Sequence, residues 1–552
     1  MSDLILIHPP SYLQFREEKR KYGPISDVIP STPLFDMYPY GFLSIYSHLS
    51  KKGFRVEIFN LAARMIMDPS FKLREYVRKI DAKLIGIDLH WMVHASGAIE
   101  LAKVIKEERP EIPLMLGGFS ATIFYNEIME NYKWIDMILL GDTTEELFEK
   151  VLESQMNPEK MEKIPNLVYR DGGKIKVNNF SYIPEDLSDL KIDYYNIFKN
   201  LSYSSEPLWW IPFSDFIEHP IGAVILFKGC RFHCLACGGS SYAYAKYFRR
   251  KSLAIKSPSA VIEEVRSITE HLKIPVFIVG DVQLLGKNRW EMLLKKMKEE
   301  RISTQAIFFE FFTPPPLELI EKVSSLDAEV YFQISPESHS EETRKYYGRP
   351  YSNEALMNFI INSINSNIKR VDLYFLVGLP RQTLMEVSSL PKFISEIYKK
   401  LPSDKEKQLD FFVAPLAPFV DPGSIAFDFP QKFGYKLRAR SVEDHMNLVK
   451  HSRDWRGMLN YETYWMSRED IATATYLAAK GLILLKRDIG IIDRALSELL
   501  LSRIDESYTS DVFMKETVVS DDLYPSKPIY SVIDERSSSI ILNIMKNILG
   551  LE

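Results

Sequence analysis

The sequence predicts an α/β protein: a doubly wound parallel sheet, then a partial (β/α)6 barrel, then a mainly helical C-terminal region. Three observations carry this. Over the first 155 residues, short apolar runs alternate with amphipathic helical stretches, the rhythm of a doubly wound sheet. From residue 220 the rhythm resumes for six strand–helix units, two short of the eight that a closed barrel needs. After about residue 435 the apolar spacing turns helical. The expected divisions are 1–155, a connector at 156–219, 220–434 and 435–552.

Residues 4–10 (LILIHPP) read as a strand ending in a Pro-Pro loop, and 41–53 as a helix stopped by glycine. Strands follow at 54–60 and 84–90, the second a continuous apolar run of the kind buried on both faces. A helix at 96–110 closes at Pro110, and strands at 112–118 and 136–142 each finish at a glycine. The helix at 143–154 has Thr143 or Thr144 as its expected N-cap. In the connector, 166–179 reads as a hairpin turning at Asp171-Gly172-Gly173, and 207–216 as an aromatic stretch that packs on a neighbour. Barrel strands are expected at 221–227, 275–281, 306–312, 330–337, 370–380 and 410–415. Helices such as 257–272 and 353–366 lie between them, and 468–486 is the main helix of the tail.

A chain of 552 residues exceeds one core and implies several domains. Apolar content of 46% and charged content of 26% mark a globular protein, and a net charge of −5 lacks the basic surplus of a nucleic-acid binder. The N-terminus has no basic region or cleavage site of a secretory signal, and no apolar run reaches bilayer length. Three cysteines are too few for a disulfide framework, so the expected location is cytoplasmic.

All three cysteines fall in one loop, FKGCRFHCLACGGS, as Cys230, Cys234 and Cys237 in a C-x3-C-x2-C pattern. Core cysteines would be scattered. A zinc site with His233 would need a second, distant pair of ligands, and a nucleophile needs one cysteine. An iron–sulfur cluster remains: four thiolates saturate a four-iron cube, so three leave one iron open to a substrate or cosubstrate. The loop follows a strand at its C-terminal end, the edge where parallel α/β folds place active sites. Gly229, Gly238 and Gly239 around the cysteines allow close backbone approach.

C-x3-C-x2-C after a first barrel strand resembles the signature of the radical S-adenosylmethionine (SAM) superfamily. The resemblance implies a [4Fe–4S] cluster on the three cysteines, with SAM chelating the fourth iron and yielding a 5′-deoxyadenosyl radical on reduction. Other stretches match residue by residue. Gly280-Asp281, ending PVFIVGD, stand where the family binds the SAM amino group; the alternative is an ordinary strand-terminal turn. VYFQISPES places Ser335 and Glu337 as candidates for SAM ribose or methionine, although Glu337 would serve equally to cap the next helix. LYFLVGLPRQT places Gly378 and Pro380 at the adenine pocket. One departure is Ala236, where an aromatic residue usually precedes the third cysteine.

The N-terminal stretch, opening HPPS and continuing through YPYGFLSIYSHLSKKGF, resembles the cobalamin-binding domain of the B12-dependent radical SAM class. PLMLGGFSAT and ILLGDTTEELF match characteristic segments of that domain, with Asp142 where Glu is usual. Gly117 and Gly118 would let the cofactor's nucleotide tail pass close to backbone, or else simply end a strand. Asp88-Leu89-His90 begins like a D-x-H-x-x-G motif that gives cobalt a lower histidine, but position 93 is Val and the segment follows an internal strand. The expectation is therefore cobalamin without a protein histidine on cobalt, with His90 and His94 lining the pocket or capping the next helix.

Aromatic stretches at 410–424 and 460–480 are candidate substrate walls or domain-packing surfaces, with Tyr461, Tyr464 and Trp465 the first candidates for substrate contact. The implied activity is methyl transfer to an unactivated carbon of a small-molecule or lipid substrate, supported by a low-potential electron donor of flavodoxin or ferredoxin type. The alternatives are a radical SAM cyclase and a non-catalytic iron–sulfur or corrinoid carrier.

Overall fold

The structure is a computed structural model describing residues 1–17, 34–202, 209–270, 272, 274–302, 304–402, 405–416, 418–452 and 454–509. The start of the aromatic connector and the tail beyond 509 lie outside the described residues.

The N-terminal sheet has seven strands in the order Val56–Asn60, Leu4–His8, Ile85–Asp88, Leu114–Gly117, Met137–Leu139, Leu167–Asp171 and Lys174–Val177. The first five are parallel. Their winding puts the first strand between the second and third, so the chain reverses direction across the sheet beside Leu4–His8. In open α/β sheets, ligands bind outside the strands' C-terminal ends at such a point. The hairpin read within the connector turns where expected, and its first strand pairs antiparallel with Met137–Leu139, extending this sheet.

Period-two alternation builds two cores. Leu4 and Leu6 enter one buried cluster, while Ile5 and Ile7 enter another on the opposite face. The first cluster continues without a break into barrel residues such as Val224, Ile278 and Phe332, so sheet and barrel share one apolar interior.

The second sheet holds the six expected strands, all parallel and in chain order: Gly222–Ile225, Val276–Val279, Thr304–Phe311, Ala328–Glu337, Arg370–Val377 and Leu409–Pro415. The first and last are edges, so the barrel is open. A register shift between Ile334 and Glu337 re-aims the mouth of the fourth strand. Ser257 caps the helix Pro258–Thr269, with proline at its first position. The helix Glu145–Ser154 differs from expectation: Thr144 makes no capping bond, and Glu145 and Glu146 supply first-turn negative charge instead.

The long helix Arg468–Asp488 packs on the edge strand Leu409–Pro415, all seven of whose residues are buried. Lys486 Nζ lies 2.7 Å from Asp410 Oδ1 in that contact. No described helix is long and apolar enough to cross a membrane.

Candidate active site

The strand Gly222–Ile225 runs into Phe227–Lys228, which pairs antiparallel with Ala254–Ile255 and ties off the cysteine loop as a lobe. Cys230 and Cys237 are half-buried and Cys234 is buried, all as free thiols. Phe232 N–H donates to Cys230 Sγ at 3.4 Å and Gly239 N–H to Cys237 Sγ at 3.3 Å. Such bonds to sulfur tune a cluster's potential. Burial pushes all three thiols up, Cys234 to about 11. A metal reverses that by holding the thiolates deprotonated. Among the described residues, only His8, His90 and His94 form a His/Cys/Asp/Glu trio with ligand atoms all within 4.8 Å. The chain has no fourth cysteine, so three thiolates would leave one iron of a four-iron cluster open. His233 Nδ1 lies 2.9 Å from Ser241 Oγ.

The segment after the fourth strand holds this loop. Leu235 N–H donates to Tyr347 O at 2.9 Å. Gly348 has φ +122°, and a Cβ there would stand 2.9 Å from Cys234 Cα. The next residue, Arg349, is buried, with its guanidinium carbon 5.3 Å from the Phe232 ring centre and 4.7 Å from that of Phe312. It reaches Glu337 Oε1 at 3.4 Å. Burial pulls the Arg349 pKa down, but the Cys234 thiol and Glu337 carboxylate beside it outweigh this and raise it. Arg349 is thus a fixed positive charge beside the cysteine loop.

At the barrel mouth the sequence candidates separate. Asp281 is fully buried; its carboxylate accepts from Gln283 N at 2.9 Å, Gln283 Nε2 at 3.2 Å and Phe312 N at 2.8 Å. It therefore ties together the turn after the second strand, and burial lifts it to about 6. Glu310, on the third strand and unmarked by sequence motifs, accepts from Gly280 N–H. Burial pushes it to about 7. Ser335 is half-buried on the fourth strand, and Glu337 ends that strand at φ +67° against Arg349. Gly378 has φ +102°, and a Cβ there would lie 2.1 Å from Tyr461 Oη. Gln382 Oε1 accepts from Gly378 N and Leu379 N at 3.0 Å, shaping the turn that carries Pro380.

The ligand edge of the N-terminal sheet lies close by. Gly117 faces open space, whereas Gly118, at φ +109°, lets the backbone come so near His90 that a Cβ would stand 2.6 Å from His90 Cα. Gly118 thus has a packing reason to be glycine, and Gly117 leaves room for a ligand. Asp142 pairs bidentately with the buried Arg250, Arg250 Nη2 donating to Asp142 Oδ1 at 2.8 Å. That ties the sheet to the lobe behind the cysteines. A second tie runs through Asp421: it accepts Trp91 Nε1–H at 3.0 Å on one oxygen and Gly238 N–H at 3.0 Å on the other. Trp91 follows the third sheet strand, and Gly238 follows Cys237. This bridge sets the cysteine loop against the C-terminal edge of the sheet.

Of the aromatic candidates, Tyr461 is fully buried, with Oη donating to Leu416 O at 2.8 Å. It props the Gly378 turn and is closed to substrate. Tyr464 and Trp465 are 51% and 41% exposed, Trp465 lying over Gly434.

Residues 27–150 match the B12 binding domain family and 224–394 the Radical SAM superfamily. Over 191 residues the chain is 24% identical to the anaerobic magnesium-protoporphyrin IX monomethyl ester cyclase of Cereibacter sphaeroides, covering 33% of this chain and 28% of that protein. It is 21% identical to an uncharacterized methyltransferase of Pyrococcus horikoshii over 59% of this chain and 66% of the other. The chain thus spans under a third of the first of these relatives and about two thirds of the second. The solved radical SAM methyltransferase TsrM of Kitasatospora setae, bound to tryptophan and a SAM analogue, superposes with a TM-score of 0.60 at 14% identity, over 90% of each chain. At that identity the likeness is one of fold. The chain thus carries a B12-binding domain followed by a radical SAM domain.

Proposed function

We propose that this protein transfers a methyl group to an unactivated carbon of a small molecule. The observation that carries the reading is the Trp91–Asp421–Gly238 bridge, which locks the cysteine loop against the C-terminal edge of the B12-binding sheet. When bound, the cluster with SAM supplies a hydrogen-abstracting radical, and cobalamin supplies a methyl carrier.

The chain's own residues bind, orient and shield. Cys230, Cys234 and Cys237 hold three irons. Glu310, aligned by the Gly280 N–H, takes the ammonium of SAM, in place of Asp281, whose oxygens are already bonded within its turn. Arg349, a buried positive charge beside Cys234, would pair with the carboxylate of SAM and offset the negative charge of the thiolates. Ser335 and the Gly378–Pro380 turn flank the ribose and adenine, and Gly117 borders the nucleotide tail of cobalamin. The apolar interior shared by sheet and barrel keeps water away from reactive carbon. The working domain limits remain 1–155, 156–219, 220–434 and 435–552, and the electron donor is of flavodoxin or ferredoxin type.

A second reading, ring closure by carbon–carbon bond formation, is favoured by the likeness to the cyclase of Cereibacter sphaeroides. Anaerobic reconstitution with iron, sulfide and hydroxocobalamin, followed by reaction with SAM and dithionite, separates the possibilities. Methyl transfer yields 5′-deoxyadenosine together with S-adenosylhomocysteine, because SAM is consumed twice. Cyclisation yields 5′-deoxyadenosine without S-adenosylhomocysteine. Formation of neither refutes both.

A further inference from the structure

Three imidazoles converge at the ligand edge of the N-terminal sheet. His8 ends its first strand, and His90 and His94 follow its third. Their ligand atoms all lie within 4.8 Å of one another. The ring centres are 4.8 Å apart for His8 and His94, 5.0 Å for His90 and His94, and 6.0 Å for His8 and His90. We propose that His8, His90 and His94 form a binding site for a divalent first-row transition-metal ion, separate from the cysteine loop and from the cobalt of cobalamin.

The surrounding bonds are those that orient histidine ligands. Imidazoles that hold a metal through one nitrogen commonly give the other N–H to a carboxylate or a backbone carbonyl. Here His90 Nδ1 lies 2.6 Å from Asp88 Oδ2, His8 Nδ1 lies 2.9 Å from Asp88 Oδ1, and His94 Nδ1 lies 3.1 Å from Pro9 O. Each acceptor holds a proton on Nδ1. For His94 that leaves a lone pair on Nε2, and this atom is buried without a partner. An ordinary buried network centred on Asp88 accounts for His8 and His90 but leaves that nitrogen unsatisfied, the kind of exception that calls for an ion or another ligand. His8 Nε2 lies 2.9 Å from Phe35 O and so carries a proton in the metal-free chain. A metal taking that position releases this proton and frees the carbonyl.

The geometry also selects the kind of metal. Cobalt in a corrin already has four ring nitrogens and accepts ligands only along its axis, so it cannot take three converging imidazoles. A free ion with tetrahedral preference can, since nitrogen ligands suit zinc and its neighbours. Phe35 and Trp91 wall the site, while His90, 30% exposed at its side chain, leaves a way in. Three protein ligands and one open position describe a centre that accepts a further, exogenous ligand.

This inference stands apart from the proposed methyl transfer. The test uses full-length protein with its cluster reconstituted and cobalamin bound, given Zn²⁺ as the probe and then desalted. Zinc, iron and cobalt are counted per chain by mass spectrometry, and the zinc edge is read by X-ray absorption. The expected result is one zinc per chain with nitrogen scatterers at about 2.0–2.1 Å. His94→Ala and the more exposed His90→Asn should each lower zinc at least tenfold and leave iron unchanged. Sulfur scatterers at about 2.3 Å, no bound zinc, or zinc retained in both variants would overturn the proposal.

Discussion

Replacing Gly348 with alanine adds one methyl group against the backbone that carries Cys234. Two effects add. Gly348 sits at φ +122°, and holding an L-residue in a left-handed conformation costs about 1–2 kcal/mol. The new Cβ would stand 2.9 Å from Cys234 Cα, 3.0 Å from Cys234 N and 3.1 Å from His233 C. These are backbone atoms, not the ends of flexible side chains, so the segment or the cysteine loop must move. Overpacking of this kind costs about 1–3 kcal/mol. If the loop moves, the combined 2–5 kcal/mol weakens cluster binding by roughly 30- to 4,000-fold, at about 1.4 kcal/mol per tenfold. The assay is iron and acid-labile sulfide per chain after anaerobic reconstitution with limiting iron, beside a thermal melt. Gly490→Ala is the control, because Gly490 has φ +77° and a Cβ added there would meet nothing within 4 Å. It feels the backbone effect alone, at the end of the helix Arg468–Asp488. A G348A protein that keeps full iron and wild-type 5′-deoxyadenosine formation refutes the reasoning, as does an equal iron loss in G490A.

Four further outcomes are expected. Alanine at Cys230, Cys234 or Cys237 abolishes 5′-deoxyadenosine formation, checked by chromatography of the reaction. Glu310→Gln raises the KM for SAM; in the wild type that KM also rises as pH falls below about 7, where the burial-raised carboxyl takes up its proton and loses its charge, and the glutamine variant shows no such rise. Trp91→Phe leaves one Asp421 oxygen without its indole partner, a loss of about 1–3 kcal/mol, and lowers S-adenosylhomocysteine formation far more than 5′-deoxyadenosine formation. Asp142→Asn breaks the buried pair with Arg250, so the thermal midpoint falls in line with a loss of about 3–5 kcal/mol.

The parts of the site legible in the sequence are those encoded locally. Cys230, Cys234 and Cys237 share one loop, so their spacing alone announces shared chemistry. The six barrel strands and the parallel strands of the N-terminal sheet follow from apolar runs punctuated by glycine and proline, and all appear. Residues brought together by tertiary structure stay hidden. Asp421 and Trp91 are 330 positions apart, and no local pattern pairs them. His8 sits in a strand whose neighbours read only as apolar, and its partner Asp88 lies 80 residues away. Two residues outside the recognised motifs still leave a signal. Glu310 is the lone charge inside AIFFEFF, and an acid in an otherwise apolar strand needs a reason to be there. Arg349 directly follows the glycine of YYGRP, where only the contact of Gly348 with Cys234 reveals what it stands beside. Tyr461 misleads for the opposite reason: aromatic residues at element boundaries mark cavities and packing surfaces alike, and here the ring fills the space beneath Gly378.

An open barrel exposes two unfinished strand edges, and unfinished edges recruit other strands. The helix Arg468–Asp488 shields one of them, the wholly buried Leu409–Pro415, and the ion pair of Lys486 with Asp410 clamps it there. The C-terminal region therefore acts as a guard against self-association. A chain cut before residue 468 would present a bare, sticky border to its own copies, and would be expected to precipitate before its chemistry could be measured.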